Sequence, residues 1–178
     1  DVDIIYDDCE GDDEYITDNC EIGVDCPTGD SMRDDEQIDW ASLKPNSLAS
    51  GLQKWVADLN HFYREEPALW SGDYLKQGFF WVDCSDNLNS VASFARQNPE
   101  CDRCVLVVMN LTPMSHDGYR IGLPRKGLWR EVLNSDSEYY GGGNNGNSGA
   151  VESQEIAWHN QPWSAEFRLP PLSCSVYL

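Results

Sequence analysis

Basic residues are scarce in this chain: 12 Lys and Arg stand against 31 Asp and Glu, for a formal net charge of −19. A surface of that sign repels phosphate backbones and anionic headgroups, so neither nucleic acid nor a membrane is an expected partner. No apolar run approaches the ~20 residues a helix needs to cross a bilayer. Phosphate-cradling glycine motifs are absent; the one glycine-rich stretch lacks the lysine and the strand-to-helix setting. There are three histidines, His61, His116 and His159. None lies in a motif with a serine or cysteine nucleophile, and His116 and His159 fall in predicted loops. Many carboxylates are present, but nothing in their spacing selects a catalytic pair. The sequence therefore assigns no catalytic residue, no metal ligand and no cofactor.

The acidity is unevenly placed. Residues 1–39 hold sixteen acidic residues against one basic, Arg33, whereas residues 40–178 are nearly balanced. Residues 1–37 carry little apolar periodicity and read as a disordered acidic head. Its aspartates (Asp3, Asp7, Asp8, Asp12, Asp13) do not fit a calcium-binding loop with Gly at position six and Glu at twelve. The length of 178 residues suits one ordinary domain and falls short of the roughly 250 of a (β/α)8 barrel. A start at Asp1, with no basic-then-apolar leader after it, suggests a fragment or a processed product. The seven cysteines are odd in number and scattered, which points to a reducing, cytoplasmic setting rather than a disulfide scaffold. Cys101 and Cys104 have CxxC spacing but fall in a turn running into a strand, not at a helix start, so they read as incidental thiols.

Three segments follow from pattern: the head (1–37), a connector with one helix (38–69), and an all-β domain (70–178). Pro45, Asn46 and Ser47 mark a turn and a helix start. Leu48, Leu52, Trp55, Val56, Leu59, Phe62 and Tyr63 recur at three- and four-residue steps, and Pro67 closes a helix over 48–66. Seven large apolar residues on one helix need a partner surface. Either the helix covers its own β domain, or it belongs to the outer ring of a barrel. Beyond Trp70 the period becomes two, with strands predicted over 78–83, 90–96, 104–110, 119–123, 129–133, 163–169 and 173–178. Trp163, Ala165, Phe167 and Leu169 face one way; Ser164, Glu166 and Arg168 face the other. Asn98-Pro99-Glu100 is a hairpin turn, and the glycine/asparagine stretch over 141–147 is a loop requiring positive φ. Short strands with regular turns make an antiparallel β-sandwich. Tyr139, Tyr140 and Trp158 flank loops and suit stacking on sugar faces.

From Ile38 onward the chain resembles the end of bacterial-type glycogen (1,4-α-glucan) branching enzymes of the α-amylase superfamily. The resemblance rests on ordered blocks: Ile38-Asp39-Trp40; Trp55-Val56-Ala57-Asp58-Leu59-Asn60; Tyr63-Arg64-Glu65 with Pro67-Ala68-Leu69; Gly78-Phe79 with Trp81-Val82-Asp83; Asn110-Leu111-Thr112-Pro113; and Tyr119-Arg120-Ile121-Gly122-Leu123-Pro124. Further along are Gly127-Leu128-Trp129-Arg130-Glu131-Val132-Leu133-Asn134-Ser135-Asp136, then Tyr140-Gly141-Gly142 with Gly146-Asn147, and Leu169-Pro170-Pro171-Leu172.

The resemblance implies the last barrel helix followed by the family's C-terminal β-sandwich. The family's catalytic carboxylates would lie upstream, so this stretch is expected to be non-catalytic. The parent reaction it implies is α-1,4 cleavage through a covalent glucosyl-enzyme, then transfer to a 6-hydroxyl, without a metal or organic cofactor. The implied partners are α-glucan, through the parent enzyme, and a catalytic barrel. Leu52, Trp55, Val56, Leu59, Phe62 and Tyr63 are then expected to dock the barrel, and Tyr139, Tyr140 and Trp158 to contact glucan. The alternative is a stand-alone carbohydrate-binding or docking module.

Overall fold

The computed structural model describes residues 43–178. The acidic head, the Ile38-Asp39-Trp40 block and Cys9, Cys20 and Cys26 lie outside the described residues.

Among the described residues one α-helix, α1 (Leu48–Glu65), comes first. Ser47 caps it in an extended conformation, its side chain accepting from the Ser50 amide at 3.1 Å. Glu66 and Pro67 stop it, and a short 3-10 turn follows over Pro67–Leu69. Eight strands follow among the described residues: β1 (Phe79–Asp86), β2 (Val91–Gln97), β3 (Cys104–Asn110), β4 (His116–Leu123), β5 (Leu128–Asn134), β6 (Ala150–Glu152), β7 (Trp163–Leu169) and β8 (Ser173–Tyr177).

Every pairing is antiparallel. Six strands form one sheet in the order β1-β2-β3-β8-β5-β6, and β4 pairs with β7 in a second. The two sheets close on a common core. Val82, Val91, Leu106, Val108 and Tyr177 come from the large sheet; Ile121, Leu123, Ala165, Phe167 and Leu169 come from the small one. This is the antiparallel sandwich that the period-two pattern predicts, and the inward alternation of β7 is as read: Ala165, Phe167 and Leu169 are buried, and the partly buried Trp163 packs on the same cluster.

The run Cys104-Val105-Leu106-Val107-Val108 is apolar without alternation because β3 is covered on both sides. Leu106 and Val108 face the sandwich core. Val105 and Val107 belong to a second cluster with Ala68 and Val176, joined by Phe62 of α1 and Leu69.

Two polar ties fasten the helix exit to the sheet. Glu66 is buried at 2% exposure and accepts from Arg103 Nε at 2.8 Å, from Arg103 Nη2, and from the Ala68 amide at 3.1 Å. This bidentate pairing, more than any other contact, holds the Glu66 carboxyl below its usual range despite burial. Arg96 donates from Nε to Gly78 O at 3.1 Å and from Nη2 to Leu69 O at 2.7 Å, closing the loop between α1 and β1.

Two expectations need correction. His116, placed in a loop from sequence, is the first residue of β4, where it pairs with Leu169. Strand β6 was not predicted; three residues show no usable period, and pairing with β5 creates the strand.

Candidate functional site

The helix stripe divides between two surroundings. Gly51, Trp55, Asp58 and Phe62, at steps of four, three and four, face the chain's own β domain. Trp55 meets Tyr140 edge-on, centroids 5.1 Å apart. The Tyr140 hydroxyl donates to Asp58 Oδ2 at 2.8 Å. A Cβ on Gly51 would lie 1.9 Å from the Tyr140 carbonyl oxygen, so only glycine permits this approach. Along the adjoining stripe Leu48, Leu52, Val56 and Tyr63 are exposed, Leu52 at 62%, with Leu48 and Leu52 bordering a cleft shared with Trp55 and Tyr140. Leu59 is intermediate. Of the six expected docking residues, Trp55 and Phe62 are therefore engaged internally, while Leu52, Val56 and Tyr63 are open.

The large sheet presents apolar side chains on the same side as α1. Trp81, Phe94, Val107 and Val176 are cross-strand neighbours in one row. Val107 and Val176 pack with Phe62, whereas Trp81 at the far end is 50% exposed. Phe79, Trp81 and Phe94 cluster with centroids 5.4 to 5.8 Å apart.

The three aromatics expected at glucan do not share a surface. Tyr139 and Tyr140 sit on a 3-10 turn (Glu138–Tyr140) beside α1, and Lys54 Nζ lies 4.8 Å over the Tyr139 ring. Tyr140 is spent on Trp55 and Asp58, and Tyr139 stays exposed. Both border a cleft of about 520 Å³ beneath the glycine/asparagine loop. Asp136 and Glu131 brace the loop. Asp136 accepts from the amides of Gly143 and Asn145, each at 2.9 Å, and from Asn145 Nδ2 at 3.0 Å. Glu131 accepts from the Asn147 amide at 3.0 Å. Positive φ occurs at Gly141 and Asn144, as the composition suggests, but Gly142 is required for another reason. Its Cβ would fall 2.4 Å from the Asp136 backbone.

Trp158 lies elsewhere, on a turn between β6 and β7. His159 and Asn160 both have positive φ, at 48° and 56°, and Trp158 bridges to Gln161. This geometry is that of a two-residue type I′ hairpin. His159 is drawn inward: Nδ1 accepts from the Gly122 amide at 3.4 Å, and Nε2 is 3.5 Å from Asp83 Oδ2. Burial lowers the His159 pKa, although Asp83 and Asp86 oppose that shift. The turn borders an open cleft of about 590 Å³ shared with Asp83, Asp86, Tyr119 and Arg120. Tyr119 donates to Asp86 Oδ2 at 2.6 Å, and with Asn89 holds that carboxyl down to about 2. An acid so stabilised in its charged form is unsuited to protonate a leaving oxygen. Among the described residues, no group of three or more His, Cys, Asp and Glu is placed to hold a metal ion.

Residues 81–178 match the family model described as "Alpha amylase, C-terminal all-beta domain". The chain belongs to that family. The α-amylase C-terminal domain so defined contains both clefts and all of β2 to β8, while α1 and the Glu66 junction precede it. Over 141 residues the chain is 50% identical to the 1,4-alpha-glucan branching enzyme GlgB of Synechococcus elongatus, covering 77% of this chain and 18% of that protein. It is 46% identical over 125 residues to GlgB of Nostoc sp. (70% and 16%), and 47% identical over 139 residues to GlgB of Cereibacter sphaeroides (78% and 19%). The chain thus spans about a fifth of the length of these curated relatives.

One cluster of polar side chains escaped the sequence reading. Asp83, Asp86, Tyr119 and His159 converge from β1, β4 and the 158–161 turn, and no spacing in the sequence joins them. The turn signal itself was available: His159-Asn160 is a two-residue link between Trp158 and Gln161, and asparagine tolerates positive φ.

Proposed function

We propose that residues 43–178 serve as the non-catalytic C-terminal domain of a glycogen branching enzyme, with α1 and the adjoining sheet face docked on a catalytic barrel. The likeness to the GlgB proteins supports the parent identity. What carries the docking reading is the bare side of α1. Leu48, Leu52, Val56 and Tyr63 are exposed on a helix whose neighbouring stripe is already occupied. Apolar groups so arranged gain about 25 cal/mol for each Å² withdrawn from water. The exposed Phe79 and Trp81 on the same side of the sheet extend that surface. The barrel would carry the carboxylates for α-1,4 cleavage and transfer to a 6-hydroxyl, and α-glucan would be the parent's substrate. Cytoplasmic residence belongs to the same proposal. Its support is that Cys84, Cys101, Cys104 and Cys174 are free thiols, with Cys104 and Cys174 pushed up to about 11 by burial and hence unreactive.

The test pairs this chain with the rest of a GlgB relative, expressed without its last fifth. Association is expected with the wild-type chain and lost on Leu52→Asp with Val56→Asp. Undiminished association of the double variant refutes the docking face. A branching assay on amylose with the chain alone is expected to give no turnover; measurable branching refutes the non-catalytic assignment.

A further inference from the structure

We infer that the cleft beside Trp158 is a carbohydrate subsite, in which an uncharged pyranose ring stacks on the indole while its hydroxyls reach Asp83, which His159 holds in place. The observation behind this is the contrast between an open ring and a fixed frame. Trp158 is 46% exposed on a turn anchored by the partly buried His159 and Gln161. A Cβ on Gly122 would lie 2.2 Å from the Trp158 carbonyl oxygen, so the turn lies directly on β4 because residue 122 is glycine. His159 reinforces that seat through the Gly122 amide. An aromatic ring held this way loses little freedom on binding, which favours a weak, face-on ligand.

The polar groups suit hydroxyls. Asp83 Oδ1 is taken by the Ser85 amide at 3.1 Å and the Ser85 hydroxyl at 2.7 Å, whereas Oδ2 has the 3.5 Å His159 contact. Oδ2 can accept from a sugar hydroxyl. Asp86 and Tyr119 engage one another and form the floor. Arg120 is occupied by Gln154, Ser164 and Glu166, so it offers no open cation to an anionic ligand. With carboxylates facing the space, phosphate esters and uronic acids are disfavoured and neutral sugars remain. Both bordering strands are irregular here. β1 shifts register between Trp81 and Asp83 and again before Asp86, and β4 shifts between His116 and Tyr119. Such bulges re-aim side chains, and here they accompany the convergence of Asp83, Asp86 and Tyr119.

The ring-stacking site stands on this geometry alone; the choice of an α-1,4 probe rests on the reading in the preceding section. The experiment is calorimetric titration of the 178-residue chain with maltoheptaose and, separately, cellohexaose, alongside the nitrogen–proton NMR signal of the Trp158 indole. Maltoheptaose is expected to bind and to shift that signal. Trp158→Ala should weaken binding about tenfold or more, Trp158→Phe should retain part of it, and Tyr139→Ala should change it less than about twofold. An unchanged melting temperature for Trp158→Ala keeps the loss from being one of folding. Binding that survives Trp158→Ala overturns the subsite, as does the absence of binding by either sugar at ~10 mM, a concentration far above useful affinity. Trp158-dependent binding of cellohexaose alone upholds the subsite and removes its tie to α-glucan. Leu52→Asp with Val56→Asp should leave sugar binding intact, so failure of docking and failure of the subsite read out separately.

Discussion

The two sides of α1 present the same kinds of residue in opposite circumstances. Trp55 and Phe62 on one stripe are packed; Leu52 and Val56 on the stripe beside it stand in solvent. Hydrophobicity alone does not distinguish them. The difference is made by what lies opposite: Gly51 removes the side chain that would keep Tyr140 away, and Asp58 supplies the acceptor that Tyr140 needs on burial. A helix therefore binds its own domain through a small residue and a polar partner placed among the large ones, and the unmatched large residues remain for another surface.

That contrast can be broken at its packed side first. Gly51→Val should have the largest effect, destabilising the chain by about 3 kcal/mol or more, because the new carbons meet backbone that has no rotamer to offer. Thermal unfolding followed by near-ultraviolet circular dichroism measures it. Trp55→Ala should cost about 2 kcal/mol, through the lost edge-on contact and the space left beside Tyr140. Denaturant titration should show the midpoint falling with little change in slope.

Glu66→Gln sharpens the comparison by testing the junction with charge instead of volume. The folded carboxyl is depressed chiefly by its hydrogen bonds to Arg103, so its contribution is present above the free carboxyl's pKa and lost as pH falls through the folded value. The variant should be less stable by about 2 kcal/mol near neutrality, a figure reduced because Arg103 is half exposed. The gap should narrow as pH falls below the free carboxyl's range and through the folded value, and stability curves at several pH values give the sign directly. On the open side Leu52→Asp should change the isolated chain's stability by less than about 0.5 kcal/mol, the smallest effect of the series. A loss as large as that of Trp55→Ala would mean that the two sides of the helix are not in different circumstances after all.

Much of this architecture was legible because it obeys a period. The sandwich, the limits of α1 and most strands follow from alternation or from three-and-four steps, and Cys104–Asn110 and Trp163–Leu169 coincide with the sequence reading residue for residue. What period cannot convey is commitment. It gave a seven-residue apolar stripe on α1 without saying which side would be consumed, because Gly51 and Asp58 carry no apolar signal. It grouped Tyr139, Tyr140 and Trp158 by chemistry, although Tyr140 is bound to a helix 82 positions away in sequence and Trp158 borders a different cleft. The composition of the glycine/asparagine loop predicts turn conformation, which holds at Gly141. At Gly142 the reason is the proximity of Asp136 backbone, which only three dimensions reveal.

The strand order has a temporal consequence. β8 lies between β3 and β5, so the large sheet cannot become continuous until residues 173–177 enter a slot whose two walls were synthesised earlier. Until then β1-β2-β3 and β5-β6 are separate pieces, each with an unpaired edge open to a wrong neighbour. Losing so short a stretch would leave most of the apolar core in the chain and still divide the sheet in two. For a nascent chain, the interval before β8 emerges from the ribosome is thus when this domain is most exposed to aggregation.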